Sequence, residues 1–415
     1  MSCIHLLYCD KSHYQNFTPP FDIPESWQWV RLGDYVINRD GERVPIASTI
    51  RSKQSNKIYD YYGAAGAIDK VDNYIFDERL LLIGEDGANL LSRTKDNAFF
   101  ADGKYWVNNH AHVLDSSDKF LLEFVALYIN TIPLDDYITG SAQPKLSQDN
   151  LNNIHLPIPP IEEQRRILTM IESLMSIICE IRESKQQLSQ SIALTKSKIL
   201  DLAMQGKLVP QDPADEPAAE MLRRVNPKAK IITDNPHSWN IPNTWTWCQL
   251  GDIFQHNTGK ALNSSNRDGI EYEYITTSNV YWNRFELDDL KKMPFKKNEL
   301  EKCTVRHGDL LVCEGGDVGR AAIWNLDRNI MIQNHLHRLR PIANEIHIPL
   351  YYHVFRHYKD KDLIGGKGIA LQGFSSKSLH QLAIPLPPYN EQKRIVAKIE
   401  ELYSVLDQIE ASLQS

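Results

Sequence analysis

The stretch Pro157-Ile-Pro-Pro-Ile-Glu-Glu-Gln-Arg-Arg-Ile167 decides the fold, because it recurs as Pro385-Leu-Pro-Pro-Tyr-Asn-Glu-Gln-Lys-Arg-Ile395. The two copies lie 395 − 167 = 228 residues apart in a chain of 415 residues. Two further pairs of segments keep nearly the same spacing: Trp27-Gln-Trp-Val-Arg-Leu-Gly-Asp34 with Trp245-Thr-Trp-Cys-Gln-Leu-Gly-Asp252, and Asn109-His-Ala-His112 with Asn334-His-Leu-His337. An internal repeat of this length indicates a pseudo-dimer built from one chain.

Each copy places strand-rich sequence before its proline-rich stretch. Leu80-Leu-Leu-Ile-Gly84 and Leu310-Leu-Val-Cys313 are short apolar runs beside Gly or Asp, a pattern typical of buried strands that end in tight turns. The prolines of the repeated stretch then stop regular structure. We therefore predict an α+β fold with two α/β globular domains, residues 1–160 and 241–389.

A long helix is predicted after each proline-rich stretch, over residues 161–205 and 390–415. From Ile167 to Leu202, nine of eleven positions spaced alternately by four and three are apolar, which is the pattern of a coiled-coil seam. One helix of an ordinary bundle is the alternative. Residues 206–240, which contain Pro, Asp and Ala, form a connector. The seam residues that we expect to contact partner helices are Ile167, Ile171, Leu174, Ile178, Ile181, Leu188, Ile192, Ile199, Ile395, Ile399, Leu402, Leu406 and Ile409.

Composition and charge exclude several classes of protein. The 42% hydrophobic and 24% charged fractions are those of a folded chain with real cores. A net charge of −7 excludes a histone-like mode of DNA binding. The charge is uneven, since residues 1–160 carry 14 − 21 = −7 and residues 206–390 carry 23 − 21 = +2. Basic groups on one face, or DNA bound jointly with a partner, therefore stay open.

The sequence favours a cytoplasmic protein without membrane contact. It has no run of eighteen apolar residues, and its N-terminus lacks the basic stretch of a secretory signal. The six cysteines form no CxxC pair and no Cys/His cluster, so we expect free thiols in a reducing compartment.

Catalytic signatures are absent from the sequence. The glycine-rich stretches Gly84–Gly87 and Glu314–Gly319 match neither GxxxxGK[ST] nor GxGxxG, and we interpret them as turns at strand ends. Asn109-His-Ala-His112 and Asn334-His-Leu-His337 invite a metal interpretation, but no third ligand stands at metal spacing. Polar residues that fix a strand or touch a ligand are the preferred interpretation. We expect no metal and no cofactor in this chain.

Polar, aromatic and basic residues of the predicted loops are the candidates for binding. Lys and Arg neutralise phosphates, whereas Asn, Gln, Ser and Arg read base edges. The candidates in the first domain are Lys57, Tyr62, Asn89, Arg93, Lys104, Asn108, Asn109, Gln143 and Lys145. Those in the second domain are Lys260, Ser278, Asn279, Arg284, Lys292, Lys296, Arg320, Gln333, Asn334, Lys367 and Gln372. For each lysine taken alone, a solvated surface position is the alternative.

Two variable globular domains, each followed by (L/I)PxPPxxEQxRI and a long heptad helix, resemble the specificity subunit of type I restriction-modification enzymes. The resemblance lies in Pro157–Ile167, in Pro385–Ile395, in Leu202–Val209 with the PQDPADEPAAE that follows, and in Thr139–Ser147. It covers essentially the whole chain. The second copy departs from the last of these patterns, because Gly368–Ser375 stands at that place.

The resemblance implies that each globular domain is a target-recognition domain, which reads one half of a bipartite site in double-stranded DNA. It also implies that the two helices pack antiparallel, set the spacing of the domains and dock two modification subunits. Those subunits would bring S-adenosylmethionine, and restriction/translocase subunits would bring the chemistry of ATP and Mg. The chain itself would be non-catalytic. The alternative function is a coiled-coil scaffold or a regulatory pseudo-dimer without a DNA role.

The two predicted helices differ in length, with about 45 and about 25 residues. An antiparallel second helix would therefore reach only about Ile181–Leu202 of the first. Four seam residues would lack a partner from their own chain, namely Ile167, Ile171, Leu174 and Ile178. We expect a modification subunit to cover them, with self-association when the chain is alone. The first domain and its N-terminal tail, Met1–Pro20, are the other candidates.

Overall fold

The strand-rich sequence before the first proline-rich stretch folds into two four-stranded sheets and one two-stranded sheet. The computed structural model describes residues 18–140, 142–261, 268–364 and 375–414. The strands of this first half are β1 (Gln28–Arg31), β2 (Ile37–Asn38), β3 (Tyr59–Gly63), β4 (Gly66–Val71), β5 (Phe76–Asp77), β6 (Leu80–Gly84), β7 (Ala98–Ala101), β8 (Lys104–Val107), β9 (Ala111–Asp115) and β10 (His155–Ile158). Its helices are α1 (Leu32–Tyr35), α2 (Ser48–Arg51), α3 (Asn89–Ser92), α4 (Lys119–Thr131), α5 (Gln148–Asn152) and α6 (Ile161–Met204).

Strand β6, the predicted apolar run, explains why the two larger sheets stack. One sheet has the order β2-β9-β6-β7, and the other has the order β4-β3-β8-β5, with β3 and β8 parallel. Leu81 and Ile83 of β6 share a core with α4, whereas Leu80 and Leu82 share a core with β5 and β8. Because side chains alternate along a strand, a strand buried on both faces needs a continuous apolar run.

The second half repeats this architecture. Its strands are β11 (Thr246–Gln249), β12 (Phe254–Thr258), β13 (Ile270–Ile275), β14 (Val280–Tyr281), β15 (Arg284–Phe285), β16 (Lys291–Phe295), β17 (Thr304–Val305), β18 (Leu310–Cys313), β19 (Ala321–Ile323), β20 (Ile330–Ile332), β21 (Leu336–Pro341) and β22 (Ala383–Leu386). Its helices are α7 (Ala218–Val225), α8 (Leu250–Ile253), α9 (Lys297–Cys303), α10 (Ile348–Asp360), α11 (Ser376–His380) and α12 (Tyr389–Gln414).

The sheet orders of the second half match those of the first. The order β12-β21-β18-β19 corresponds to β2-β9-β6-β7, and β16-β13-β20-β17 corresponds to β4-β3-β8-β5. The parallel pair recurs as β13 with β20, and the ribbon β1-β10 recurs as β11-β22. The repeat seen in the sequence is therefore a repeat of fold.

Both proline-rich stretches lead into long helices, as predicted. Helix α6 has 44 residues and is about 66 Å long at about 1.5 Å per residue. It ends before Gly206, whose φ is +65°, and the N–H of Lys207 donates back to the Leu202 carbonyl at 2.8 Å. The glutamine of each stretch ties the helix start to the prolines before it, since Gln164 Nε2 donates to Pro159 O at 2.8 Å. Gln392 Nε2 donates in the same way to Pro387 O at 3.0 Å.

The chain divides by its internal contacts into two units, Met1–Ile181 and Arg182–Ser415. Within the second unit, α12 packs antiparallel to the end of α6. Lys196 Nζ of α6 lies 2.7 Å from Asp407 and 3.0 Å from Glu410 of α12, whereas Ile199 shares a core with Ile395. None of the helices in the described ranges is long and apolar enough to cross a membrane.

The cover that α12 gives to α6 is shorter than the sequence predicted. Lys196 pairs with Glu410 near the described end of α12, and Leu188 is 40% exposed. Ile181 is 53% exposed, whereas Ile192 is 3% exposed. The expected cover of Ile181–Leu202 is therefore wrong for residues 181–191, which are all exposed.

Candidate nucleic-acid interface

Three segments of the first unit meet at one edge, which we call the first loop edge: Gly84–Gly87, Asn109–His110 and Ala142–Leu146. Backbone hydrogen bonds join them, from Glu85 N to His110 O at 2.9 Å, from Gly87 N to Pro144 O at 3.0 Å and from Leu146 N to Glu85 O at 2.8 Å. The side chains of Asn109, Gln143 and Lys145 are exposed there. Three of the nine candidates of the first domain therefore share one surface.

A glycine makes the turn before Gln143 close. Gly140 has φ +84°, and a Cβ added to it would lie 2.5 Å from the Gln143 carbonyl oxygen. Thr139 and Lys145 exchange backbone hydrogen bonds of 2.8 Å across this turn. The exposed amide of Gln143 is thus held on a short, internally bonded loop, which suits a group that reads a base edge.

The second unit forms the corresponding second loop edge from Glu314–Gly319 and Gln333–His335. Glu314 N donates to His335 O at 2.9 Å, the same bond that Glu85 N makes with His110 O. Gln333 and Asn334 lie on this edge, Arg320 follows it directly in the sequence, and all three are partly exposed. Lys367 and Gln372, which were candidates from the sequence, lie outside the described residues.

Several candidates of the first domain serve its own fold. Asn108 is 3% exposed and its Oδ1 accepts from His110 N at 2.8 Å, so the described structure gives its side chain a role within the domain. Asn89 bonds to Asn97 and to the Lys95 carbonyl, and Arg93 donates to the Ile129 carbonyl at the end of α4. Lys57 pairs with Asp69 at 2.6 Å. Tyr62 packs half-buried against the rings of Phe99 and Tyr105.

The second domain also uses some of its candidates internally. Lys260 Nζ donates to Glu299 and to the Pro294 carbonyl at 2.7 Å each, and its side chain is only 10% exposed. Asn279 Oδ1 accepts from Thr276 N at 2.9 Å, and Ser278 Oγ lies 2.7 Å from Thr276 Oγ1. Arg320 donates to the Thr277 carbonyl at 2.7 Å and lies over the Tyr281 ring. The described contacts of these residues are with groups of their own domain.

The remaining candidate cations keep solvent access. Lys104 lies over the Tyr74 ring, and Arg284 lies over the Tyr281 ring and pairs with Glu286 at 3.0 Å. Lys292 is exposed on β16 opposite Glu273, and Lys296 lies 3.1 Å from Asp268. Exposed ion pairs are weak, so these cations remain available to a phosphate at small cost.

The paired histidines do not converge on one point. His110 is exposed and lies 2.7 Å from Asp86, whereas His112 is 1% exposed and lies 2.6 Å from Asp40. In the second unit His337 is buried, and its Nδ1 lies 2.9 Å from Nε2 of His256. Burial and the neighbouring histidines lower the pKa of His256 to about 4. Each buried histidine thus fixes its strand to neighbouring groups of its own domain, which is the interpretation preferred from the sequence.

The seam residues fall into a covered group and an open group. Ile192, Ile199, Ile395 and Ile399 are buried, and Leu402 and Leu406 pack against the same core. Ile409 is 39% exposed. In the first unit, Leu174 and Ile178 are 50% and 46% exposed. Ile167 and Ile171 line an apolar groove of about 330 Å³ together with Phe21, Trp27, Phe124, Tyr128 and Ile132.

The corresponding place in the second unit is filled by the chain's own helix. Ile395 and Ile399 repeat Ile167 and Ile171, yet they are 0% exposed because Ile199 and Leu200 of α6 join their core. Asp201 of the same turn accepts from His357 Nε2 at 2.9 Å and from Lys361 Nζ at 2.9 Å. Burial would raise the pKa of Asp201, but these hydrogen bonds outweigh it and lower the pKa.

Comparisons with known proteins agree with this architecture. The family profile described as Type I restriction modification DNA specificity domain matches residues 24–190 and 242–415. The chain is 22% identical over 389 residues to a putative type I restriction enzyme specificity subunit of Haemophilus influenzae, which covers 93% of this chain and 90% of that protein. It is 24% identical over 484 residues to the type I restriction enzyme EcoEI specificity subunit of Escherichia coli, with 95% and 81% covered.

Solved structures show the same fold. The HsdS subunit from Thermoanaerobacter tengcongensis superposes with a TM-score of 0.58 at 19% identity, over 95% of each chain. A chain from a structure that describes complex assembly and conformational transition of the type I R-M system superposes with a TM-score of 0.57 at 20% identity, over 95% of this chain and 96% of that one. At this identity the likeness is one of fold.

Proposed function

This chain belongs to the family of type I restriction-modification DNA specificity subunits, and we propose that each of its two globular domains reads one half of a bipartite site in double-stranded DNA. The observation that carries the proposal is the repeated loop edge. Both units present polar side chains beside the same backbone bond, Glu85 N to His110 O and Glu314 N to His335 O. A scaffold without a DNA role does not account for a DNA specificity profile that matches both halves.

Domain exchange tests this proposal. Replacing residues 21–156 by the first domain of another specificity subunit should change one half-site and leave the other half and the gap intact. The measurement is methylation-site mapping on DNA from cells that carry the chain with its modification subunits. If both half-sites changed together, the two domains would not be independent readers.

We propose that the chain is non-catalytic and that its partners supply the chemistry. The support is that no nucleotide-binding or nuclease motif stands in the sequence. Modification subunits would bring S-adenosylmethionine, and restriction subunits would bring ATP and Mg. The purified chain, given radiolabelled S-adenosylmethionine and DNA without any partner, should transfer no methyl group above the protein-free control.

We propose that α6 sets the gap between the half-sites. It is an unbroken helix of 44 residues, and its segment 182–191 is exposed over its whole length. Such a helix acts as a rigid spacer because every backbone bond of the interior turns is made within it.

We propose that a modification subunit covers the open part of the seam, Ile167, Ile171, Leu174 and Ile178. The internal repeat indicates how: in the second unit the same positions lie under an antiparallel helix that ends in the groove beside α10. The partner would therefore place a helix antiparallel to the first turns of α6. Self-association of the chain would be the outcome when that partner is missing.

The residues of the apolar groove beside α4 indicate which side chains the partner helix would carry there. Helices α4 and α10 both have 13 residues, so Tyr128 stands where the second unit has His357. On the same count Ile132 stands where it has Lys361, so the imidazole and the ammonium group that both donate to Asp201 are missing. A partner helix should then carry a neutral residue at the position of Asp201. Tyr128 is half-buried, which raises its pKa to about 12, so its hydroxyl stays a hydrogen-bond donor.

A further inference from the structure

A buried polar network lies under the first loop edge and involves residues far apart in the sequence. His112 of β9 is 1% exposed, and its Nδ1 lies 2.6 Å from Oδ2 of Asp40. Its Nε2 lies 2.8 Å from the Leu146 carbonyl oxygen. A carbonyl only accepts, so Nε2 donates this bond. The imidazole therefore bridges a carboxylate on one side and the end of the Gln143 loop on the other.

Arg43 pairs with both carboxylates of this network. Arg43 Nη1 donates to Glu85 at 2.7 Å, and its Nη2 lies 3.3 Å from Asp40. Asp40 also accepts from Val113 N at 2.7 Å. Burial would raise the pKa of the Asp40 carboxyl, but the contacts with His112, Val113 and Arg43 outweigh it and lower the pKa. Asp40, Glu85 and His112 lie close enough together to hold a metal ion, but the guanidinium of Arg43 already pairs with both carboxylates.

Residues 142–146, the Gln143 loop, depend on this network at their C-terminal end. Leu146 receives the His112 bond on its carbonyl and gives its own N–H to Glu85 O at 2.8 Å. Lys145 Nζ lies 3.2 Å from Oε1 of the same glutamate. Because Leu146 is fully buried, an unmade bond to its carbonyl would carry the full desolvation cost. The buried contacts of Leu146 with His112 and Glu85 therefore help to fix the position of the exposed Gln143 amide.

We propose that His112 is a positioning residue for DNA recognition, which acts through the Leu146 carbonyl to hold the Gln143 loop in the conformation that reads the first half-site. The inference rests on the proposed function, since it names what holds one of the two reading loops. Asp40 is the second member of this device, because it fixes the ring through Nδ1. Neither residue touches DNA, as both are buried.

The second copy keeps the histidine, but the partner of its Nδ1 is different. His337 lies against His256, whose pKa of about 4 makes it neutral at pH 7. No carboxylate stands at the place of Asp40, because Thr258 follows at that step of the repeat (Asp34 with Asp252, 218 residues apart). Because His112 lies in the first unit, its loss should affect one half of the recognition sequence.

Two variants of His112 separate its two nitrogens. In His112→Gln the amide nitrogen lies the same number of bonds from Cα as Nε2, so it can still donate to Leu146 O. In His112→Asn the amide nitrogen matches Nδ1, so it can reach Asp40 but not Leu146. His337→Asn is the matched control in the other unit. All are measured as the complex with modification subunits, on duplexes that carry the mapped site with the first, the second or neither half scrambled.

We expect His112→Asn to lower the preference for the correct first half-site by roughly tenfold, the order of discrimination that one base contact provides, with the second half-site preference unchanged. Hydrogen exchange of the amides in residues 142–146 should rise by up to roughly tenfold, as the removal of one buried hydrogen bond predicts. His112→Gln should keep both values within twofold of the wild type.

Two results would overturn the inference. One is a His112→Asn complex that keeps its first half-site preference, and the other is a loss shared equally by His112→Gln and His112→Asn, which would mean a general packing role. A wild-type complex that prefers neither half-site would instead refute the proposed function. Exchange in residues 142–146 still reports on the His112 bond in that case, so the two failures are distinguishable.

Discussion

The open seam of α6 gives the most direct test of partner binding. Changing Ile171 and Leu174 together to Gln removes two apolar side chains from the partly exposed part of the seam. Leu174 is 50% exposed, and Ile171, which lines the apolar groove, is less exposed. Full burial by a partner would gain about half of the roughly 1.5–3 kcal/mol for Leu174 and about a quarter for Ile171, or about 1–2 kcal/mol together. Two buried amides without partners add a similar cost. The double variant should therefore weaken binding of the modification subunit by about 2–4 kcal/mol, or roughly 30- to 1,000-fold in Kd.

The fold of the isolated chain should change little, because substitutions at partly exposed sites cost little. We expect Tm to fall by less than about 4 °C. The repeat supplies a matched control: Ile399→Gln alters the equivalent of Ile171 at a position that is 0% exposed, and it should destabilise the chain strongly. Glu172→Gln, on the exposed side of the same turn, should alter neither property.

Binding is measured by titrating labelled chain with the modification subunit, and stability by circular dichroism. The proposal fails if the double variant binds the modification subunit with the wild-type Kd. It also fails if the variant melts as early as Ile399→Gln, since the stripe would then be buried within the chain. Self-association of the wild-type chain that the double variant abolishes would identify the second candidate cover.

Three further outcomes are expected. Changing Lys291, Lys292, Lys296 and Lys297 to Ala should weaken DNA binding regardless of sequence. The slope of log K against log salt concentration should become shallower by about 0.9 for each phosphate that is no longer neutralised, whereas Lys228→Ala in the connector should not change it. An unchanged slope would place the four lysines away from DNA. Inserting one heptad at residues 189–191, which are exposed, should lengthen α6 by roughly 10 Å. The gap between the two half-sites should then widen by close to three base pairs, at about 3.4 Å each. An unchanged gap in the mapped methylation sites would refute the proposal that α6 sets the spacing. Hydrogen bonds from Lys361 and His357 outweigh burial and lower the pKa of Asp201. The stability that ionised Asp201 contributes is therefore present above about pH 4 and is lost as the pH falls further. In urea melts, the free energy of unfolding should fall more steeply with decreasing pH for the wild type than for Asp201→Asn.

The elements that the sequence predicted well are those defined by local pattern. The all-apolar runs at Leu80–Gly84 and Leu310–Cys313 are strands buried on both faces, and the prolines of each repeated stretch come directly before a helix. The heptad spacing predicted α6 to within one residue of its end. Such features depend on periodicity and on backbone restrictions of a few residues, which a single sequence contains.

What the sequence did not predict depends on partners distant along the chain. Lys260 looked like a free cation, but Glu299 and the Pro294 carbonyl engage it. Asn108 looked like a loop amide, but it is buried. The network of Asp40, Arg43 and His112 spans more than seventy positions, since the Asp40–His112 separation alone is 72 residues. The one signal that pointed to it was the repeated Asn-His-x-His motif.

Comparison of the two units separates what the repeat preserves from what it changes. The preserved contacts join neighbouring segments within each unit. Gln164 and Gln392 each donate to a carbonyl of their proline-rich stretch, and the same backbone hydrogen bond is present at each loop edge. The changed contacts include buried ones beneath the first loop edge and at the corresponding place in the second unit, with a carboxylate beside His112 but a neutral histidine beside His337. A chain that reads two identical half-sites would have no reason to diverge at these places. The divergence therefore favours an asymmetric target, in which two domains of the same fold read two different half-sites.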